Sequence, residues 1–124
     1  MKKHPAVEAL RQASKGLLFP SESEAPLEPF LWGQAAGPLT ADRVRQLARA
    51  GQGEAVEETT LDALLHTVPS EDRPHFDRLA AVIHQQLSGV KAYKVGDEAE
   101  TQVYVVGKTQ DGQLAGLKTT AVET

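Results

Sequence analysis

The sequence predicts an α+β fold, because the period of its apolar residues changes along the chain. In the first two thirds, apolar residues recur at helical spacing, most regularly between Ser70 and Leu87. The last third contains strand-like runs separated by turn residues, and the run QVYVVGK is apolar on both faces. With 124 residues, of which 40% are apolar, the chain can build one hydrophobic core. We therefore predict a single domain over residues 1–124.

Helices are predicted mainly in the N-terminal part of the chain. A first helix extends from His4 to Lys15, where Gly16 is a residue type that commonly ends a helix. A second runs from Thr40, a favourable N-cap, to Ala50, and a brief third helix follows Thr60. The Ser70–Leu87 helix has apolar residues at i, i+3, i+4, i+7 and i+11, which form one buried face. These inward residues are Phe76, Leu79, Ala80, Ile83 and Leu87.

The strands are concentrated at the end of the chain, where three of them form an antiparallel meander. The dipeptide Asp111-Gly112 is typical of a β-hairpin turn. The strand that is apolar on both faces is predicted to be central, and the long helix must bury its face on the sheet. The predicted strands are Phe30–Trp32, Ala55–Thr59, Ala92–Val95, Gln102–Lys108 and Leu114–Val122.

The segment FPSESEAP, from Phe19 to Pro26, is predicted to be a loop before the first strand. Ser21 and Glu24 have the spacing of a helix-capping box. However, Pro26 would fall in the first turns of such a helix and Pro29 follows closely, so each would remove a backbone donor. We therefore expect a loop, with at most a single turn, that holds its acidic residues near the surface.

Composition and charge exclude several classes of function. The net charge of −4 argues against direct binding of nucleic acid, because basic residues must neutralise phosphates, but it suits a basic protein partner. The absence of cysteine excludes disulfides and thiolate chemistry. No apolar run approaches the ~20 residues of a membrane helix, and the start MKKHPAVEALRQ lacks the apolar core of a signal peptide. We therefore expect a cytoplasmic protein without a membrane partner.

The motifs of common enzyme chemistries are missing. The sequence has no HExxH motif, no glycine-rich phosphate loop and no Ser-His-Asp arrangement. His75 and His84 fall on opposite faces of the predicted long helix, so they cannot share a metal ion. We expect each of the four histidines to be a lone exposed side chain, and Tyr93 and Tyr104 to be core or cross-strand residues. We predict that the protein is not an enzyme and has no cofactor of its own.

Two places in the chain have two interpretations each. Glu22 and Glu24 point in opposite directions if their segment is extended, so they are not an obvious acid–base pair. They form either a solvated acidic loop, with Ser21 and Ser23 making local turn bonds, or part of a binding site. The chain ends LKTTAVET. Thr124 is either a frayed end or a source of carboxylate and hydroxyl oxygens, which a hard cation such as Mg²⁺ prefers.

Two long blocks of the sequence are distinctive. The first is LRQASKGLLFPSESEAPLEPFLW, from Leu10 to Trp32, and the second is YKVGDEAETQVYVVGKTQDGQLAGLKTTAVET, from Tyr93 to Thr124. Both resemble the nuclease A inhibitor family, whose members are protein inhibitors of sugar-non-specific, metal-dependent nucleases. The two blocks cover somewhat under half of the chain. The resemblance implies an α/β/α sandwich around an antiparallel sheet, in agreement with the meander predicted above.

The resemblance also implies a mechanism of inhibition. In the family, the inhibitor plugs the active site of the nuclease, where its C-terminal Thr and the first Glu of SESE reach the catalytic divalent metal. Here these residues are Thr124 and Glu22, and the Mg²⁺ belongs to the target nuclease. Glu24, Glu28 and Glu123 are expected to add charge at the rim of the contact, where they mainly affect association rate and salt dependence.

The loop before the long helix departs from the family pattern. In the family an aromatic residue of this loop also approaches the nuclease, whereas here the loop TVPSEDRP has none. The next aromatic residue, Phe76, has an inward phase in the predicted helix. Glu71 and Asp72 are the candidate contacts in this loop, and the change bears on which nuclease is recognised.

The leading prediction is a stoichiometric nuclease inhibitor without catalysis of its own. The alternative is an interaction or stress-related protein of the same fold with a different protein partner, for which Thr124 and Glu22 are dispensable. A small hydrolase that uses Glu22 is the weakest hypothesis, because the sequence supplies no paired base, nucleophile or ligand cluster.

Overall fold

The fold is taken from a computed structural model, which describes residues 4–19, 25–34, 40–47, 55–96 and 100–122. It confirms the predicted α+β class, with strands as the last three elements. None of the described helices is both long and apolar enough to span a membrane. In chain order the elements are α1 (Pro5–Ser14), β1 (Leu18–Phe19), β2 (Ala25–Pro26), β3 (Glu28–Gln34), α2 (Ala41–Leu47), β4 (Val56–Thr59), α3 (Leu61–Leu65), α4 (Arg73–Gln86), β5 (Ser88–Gly96), β6 (Glu100–Lys108) and β7 (Gln113–Val122).

The main sheet has five antiparallel strands in the order β3-β7-β6-β5-β4. The last three strands form the predicted meander, and β6 lies in the middle of the sheet, as expected for a strand that is apolar on both faces. Tyr93 of β5 pairs with Tyr104 of β6, and Val105 of β6 pairs with Leu117 of β7. β3 and β4 extend the meander at its two edges, so residues far apart in sequence share one sheet.

One face of the main sheet is covered by α1, α3 and α4. From α4, the side chains of Phe76, Leu79 and Ile83 are at most 5% exposed, and they share a core with Val103 and Val105 of β6. Burial of an apolar side chain of this size contributes about 1.5–3 kcal/mol. The inward face predicted for the long helix is therefore confirmed, and it is one of the main sources of the fold's stability.

The opposite face of the sheet carries α2. Val44 of α2 is fully buried in a second core that includes Tyr93 and Tyr104. Phe30 and Trp32 of β3 pack against this core, with their ring centroids 4.3 Å apart and that of Trp32 5.5 Å from the ring of Tyr104. Helices on both faces of an antiparallel sheet make the α/β/α sandwich that the resemblance implies.

The predicted start of the long helix is wrong by about one turn. α4 begins at Arg73 and not at Ser70, because the residues before it form tight turns. The N–H of Asp72 donates to the carbonyl oxygen of Pro69 at 3.0 Å, and that of Arg73 to Ser70 at 3.3 Å. A further proline, Pro74, then occupies the first turn of α4, where its missing N–H is not needed.

The predicted end of the same helix is also different. We expected Ser88 and Gly89 to close the helix before a strand from Ala92, but β5 begins at Ser88. The chain turns directly from α4 into the sheet, with an irregular register between Ser88 and Lys91. Gly89 has a φ of +59°, a conformation that side chains with a Cβ rarely adopt.

Candidate functional site

Four of the residues predicted to contact a nuclease, two inserted into its active site and two at the rim, lie outside the described residues. Glu22 and Glu24 belong to the segment 20–24, and Glu123 and Thr124 are the last two residues of the chain. The residues on either side of the first segment, and those before the second, are described. These flanking strands are the described part of the candidate site.

The acidic segment 20–24 connects two short paired strands. In this β1–β2 hairpin, Leu18 lies opposite Pro26 and Phe19 lies opposite Ala25. The side chain of Phe19 is 8% exposed and belongs to the core beneath α4. The predicted plain loop is therefore wrong at its ends, because a proline is tolerated on an edge strand where no partner needs its N–H. The pairing fixes both ends of the acidic segment.

The hairpin lies beside the last part of β7. The hydroxyl of Thr119 donates to the carbonyl oxygen of Ala25 at 3.4 Å, and the Thr119 side chain is buried. Ala25 directly follows Glu24 in the chain, and Thr119 precedes Thr124 by five residues. The structure thus brings the flanks of the two predicted segments together, although they are far apart in sequence. The sequence analysis did not identify Thr119, whose one signal is its alternation with Leu117 on β7.

β7 stays paired with β6 as far as it is described. Val122 lies opposite Glu100, and the hydroxyl of Thr120 donates to Oε1 of Gln102 at 3.1 Å. The backbone is therefore held in the sheet until two residues before Thr124. This agrees with the predicted strand before the terminus and provides it with a rigid mount.

The loop before α4 lies next to the same hairpin. Glu71 and Asp72, the candidate contacts in this loop, are both exposed. Asp72 lines a groove together with Lys15 and Leu18, between the start of α4 and the end of α1. Phe76 is buried, as its helical phase predicts. This loop and the hairpin therefore lie at the same end of the molecule.

Glu28 is the one residue of the predicted acidic rim that is described. It is exposed at the start of β3, and its carboxylate lies 3.9 Å from Nζ of Lys118 on β7. An exposed ion pair contributes between about 0 and 1 kcal/mol. Glu28 therefore acts on the electrostatic field of this end of the sheet more than on the stability of the fold.

The histidines supply no metal site in the described part of the chain. No group of three or more His, Asp or Glu side chains there could hold an ion. Three of the histidines are exposed, as predicted, but His4 is not a lone exposed side chain. Its Nδ1 accepts from the N–H of Ala6 at 3.1 Å and caps α1, while its Nε2 lies 3.0 Å from the carboxylate of Asp111. Sequence reasoning missed this contact because its two partners lie at opposite ends of the chain.

Asp111 is held by three side chains at the β6–β7 turn. It accepts hydrogen bonds from the hydroxyl of Thr109, from Nε2 of Gln113 at 2.7 Å and from His4. These bonds, that of Thr109 first, hold the pKa of the Asp111 carboxyl well below its usual range. The predicted Asp-Gly turn is confirmed, and it also ties the start of α1 to the sheet.

The pKa of Tyr93 is also shifted, but mainly by burial. Burial raises the pKa of its phenol to about 12, and the hydrogen bond that it donates to Oε1 of Glu58, at 3.2 Å, adds to the effect. The phenol stays protonated at neutral pH and joins β5 to β4. Tyr93 is thus a core and cross-strand residue, as predicted.

The structure shows an α+β fold in which the paired strands β1 and β2 lie beside the last described part of β7. A family model described as nuclease A inhibitor-like protein (NuiA) matches residues 4–124. The chain therefore belongs to the nuclease A inhibitor-like family, and the likeness extends from the two distinctive blocks to nearly the whole chain. No curated protein matches it.

Proposed function

We propose that the protein is a stoichiometric inhibitor of a sugar-non-specific, metal-dependent nuclease. Membership of an inhibitor family supports this class of function. The observation that carries the proposal is the hydrogen bond between Thr119 and Ala25. It joins β7, the strand that precedes Thr124 in the chain, to the short strands that flank the segment 20–24. This contact supports the proposal that both segments meet the same cleft.

In this proposal Glu22 and Thr124 enter the active site of the nuclease together. Carboxylate and hydroxyl oxygens are ligands that Mg²⁺ prefers, so the two residues can take positions that water or phosphate oxygens occupy in the free enzyme. The metal belongs to the nuclease, and this chain supplies oxygens and the scaffold that orients them. Because β7 is paired up to Val122, the strand before the terminus is already ordered and loses little conformational entropy on binding.

Charge supports the same partner. A nuclease cleft attracts phosphates and is positive, whereas this chain has a net charge of −4. Glu24 and Glu123 lie next to the two inserted residues, and Glu28 is exposed on the neighbouring strand. In the proposal these three side chains increase the association rate at low salt, and nucleic acid itself is not bound. We further propose that the inhibitor acts in the cytoplasm, which fractionation of the source cells tests.

The test is a titration of several metal-dependent, sugar-non-specific nucleases with the untagged protein, with plasmid cleavage in Mg²⁺ as the readout. We expect inhibition that saturates near one inhibitor per enzyme. Deletion of Thr124, or extension of the chain beyond it, should abolish inhibition and leave the melting temperature unchanged. A short N-terminal tag is the matched control, because it adds similar mass at the other end of the chain.

Two results would redirect the proposal. Inhibition that survives deletion of Thr124 would place the contact elsewhere on the domain. No inhibition of any nuclease in the panel would favour the alternative function, a protein of the same fold with a different partner.

A further inference from the structure

A short exposed ridge adjoins the hairpin that carries the acidic segment. It consists of residues 15–18, where α1 ends and β1 begins. Gly16 has a φ of +82°, which turns the chain sharply between the two elements. The Leu18 side chain is 46% exposed, although its backbone is paired with Pro26. The ridge thus holds a large apolar side chain in solvent on a backbone that is fixed on both sides.

A groove runs along one side of this ridge, between α1 and the start of β3. Its volume is about 640 Å³, and its apolar wall includes Leu18, Leu27 and Pro29. Among the described residues, its cationic lining residues are Arg11, Lys15 and Lys118, and Glu28 is the single carboxylate. We call this the basic groove. Its described lining is therefore basic, whereas the chain as a whole has a net charge of −4.

The cations of the basic groove are not equally neutralised. Arg11 pairs with Glu8 at 3.4 Å, and Lys118 lies 3.9 Å from the Glu28 carboxylate. The Lys15 ammonium has no ion-pair partner among the described residues. An unpaired cation therefore stands three residues from an exposed leucine. This combination fits an apolar side chain flanked by carboxylates on another molecule.

We propose that the basic groove is a second contact of the inhibitor with its nuclease, and that it receives an acidic, apolar segment at the rim of the enzyme's cleft. The proposal rests on the proposed function. Leu18 is four residues from Glu22 and lies opposite Pro26 at the base of the same hairpin. An enzyme that binds Glu22, which follows Leu18 by four residues, brings the rim of its cleft towards Leu18 in this proposal.

The two contacts have opposite charge requirements. The acidic tip suits a positive cleft, whereas Lys15 and its neighbours suit a negative rim. Nucleases that share a positive catalytic cleft can differ in the charge of the surrounding surface. The basic groove therefore selects among nucleases that the tip alone would treat alike, which makes Leu18 and Lys15 specificity-determining residues.

The experiment compares matched pairs of variants. Leu18→Ala is set against Leu31→Ala, because Leu31 is also exposed, at 42%, but does not line the basic groove. Lys15→Glu is set against Lys108→Glu, which makes the same change in net charge at the other end of the sheet. Inhibition constants and association rates are measured against every nuclease that the wild-type protein inhibits, at low and high salt. Melting temperatures confirm that each variant is folded.

We expect Leu18→Ala to weaken inhibition roughly tenfold for the best-inhibited nuclease, and Leu31→Ala to change it less than twofold. Lys15→Glu should slow association at low salt much more than Lys108→Glu, and the difference should shrink at high salt. The loss should also vary between nucleases and so change their order of inhibition.

Other outcomes overturn the proposal in distinguishable ways. If inhibition depends on Thr124 but is the same in Leu18→Ala, in Lys15→Glu and in the wild type, the basic groove does not contact the nuclease. The proposed function then still stands. Faster association of Lys15→Glu shows that the rim is basic. Concentration-dependent dimers in analytical ultracentrifugation that are lost in Leu18→Ala identify a second copy as the occupant. If the wild-type protein inhibits no nuclease, both proposals are wrong.

Discussion

The two ends of the main sheet differ in how their surface groups are satisfied. At the β6–β7 turn, which we call the closed end, Asp111 accepts hydrogen bonds from His4 and two residues of the turn. At the other end of β7, which we call the open end, the Lys15 ammonium lacks an ion-pair partner among the described residues and Leu18 is 46% exposed. Groups that satisfy each other stabilise the fold, whereas groups without an internal partner are available to a second molecule.

The same elements connect the two ends. α1 runs from its cap His4 at the closed end to Lys15 at the open end, and β7 runs from Gln113 to Val122. One helix and one strand therefore reach from the closed end to the open end. The interactions that stabilise the fold and the groups available to a partner lie about a strand's length apart. Stability and binding should therefore be separable by mutation.

Gly116→Ala is expected to have the largest effect of these variants, a loss of stability, because Gly116 lies in β7, which reaches both ends of the sheet. A Cβ at this position of β7 would overlap the carbonyl oxygen of Val105 and lie 2.8 Å from its carbonyl carbon. Because the obstacle is backbone of the central strand, no side chain can move to make room. We expect a loss of about 3 kcal/mol or more in the free energy of unfolding.

Urea denaturation monitored by the fluorescence of Trp32, the chain's only tryptophan, measures this loss. Gly89→Ala is the control. Gly89 also has a positive φ, but a Cβ there would meet nothing within 4 Å. It should cost about 1–2 kcal/mol, from the strained backbone alone. Equal effects of the two variants would show that the tight contact at Gly116 is relieved by movement of the strands.

The next largest effect is expected from Glu22→Gln, which should weaken inhibition without changing stability. Glu22→Gln keeps the size of the side chain and removes its charge, so a partner's metal or cation loses a ligand. We expect inhibition to weaken by about 2–5 kcal/mol in binding free energy, with an unchanged melting temperature. Glu28→Gln is the control, because Glu28 is exposed and pairs with Lys118 at 3.9 Å. Its effect should be a few-fold at most, and similar small losses for both would make Glu22 a rim residue.

A third variant acts on the closed end alone. The pKa of Asp111 is lower in the folded protein than its unfolded value of about 3.9. The unfolded chain therefore binds this proton more readily, so Asp111 stabilises the fold above pH ~4 and this contribution is lost as the pH falls further. Asp111→Asn should lower the melting temperature at pH 7, and the difference from wild type should shrink towards pH 2.

Inhibition of the nuclease at pH 7 should be unchanged in Asp111→Asn. Asp77→Asn, a change at an exposed position on α4, is the control and should move neither the melting temperature nor its pH dependence. If Asp111→Asn weakens inhibition as much as Glu22→Gln does, the two ends of the sheet are not separable by mutation.

The amount that the sequence could predict differs between the two ends as well. The meander and the long helix follow from local period and turn chemistry, and Phe76 and Ile83 are buried as expected. The contact between His4 and Asp111 could not be predicted, because 107 residues separate its partners and the Asp-Gly pattern indicates a turn but no partner for it.

At the open end the sequence supplied residue types but not their surroundings. Prolines argued for a loop between Phe19 and Pro26, and the pairing of those residues depends on the burial of Phe19 by helices and strands distant in sequence. Leu18 and Phe19 are adjacent apolar residues, and only the packed structure shows that Leu18 is exposed and Phe19 is buried. Glu22 and Thr124 came from the family resemblance, and their places in the site stay predictions.

The smallest effect is expected at the junction of the two predicted segments. Thr119→Val keeps the shape of a buried side chain and removes the hydroxyl that donates to Ala25 at 3.4 Å. The free energy of unfolding should fall by only about 0.5–1.5 kcal/mol, the usual net contribution of one hydrogen bond. Inhibition should weaken a few-fold further, because the hairpin is then less firmly oriented relative to β7.

A double-mutant cycle separates this orienting role from a merely structural one. The coupling energy between Glu22→Gln and deletion of Thr124 is measured in the wild-type and in the Thr119→Val background. If Thr119 aligns the two segments, their coupling is smaller when its hydroxyl is absent. Thr120→Val is the matched control, since its hydroxyl donates to Gln102 at 3.1 Å and does not hold the hairpin. Equal coupling in all three backgrounds would mean that the hairpin and the chain end act independently on the nuclease.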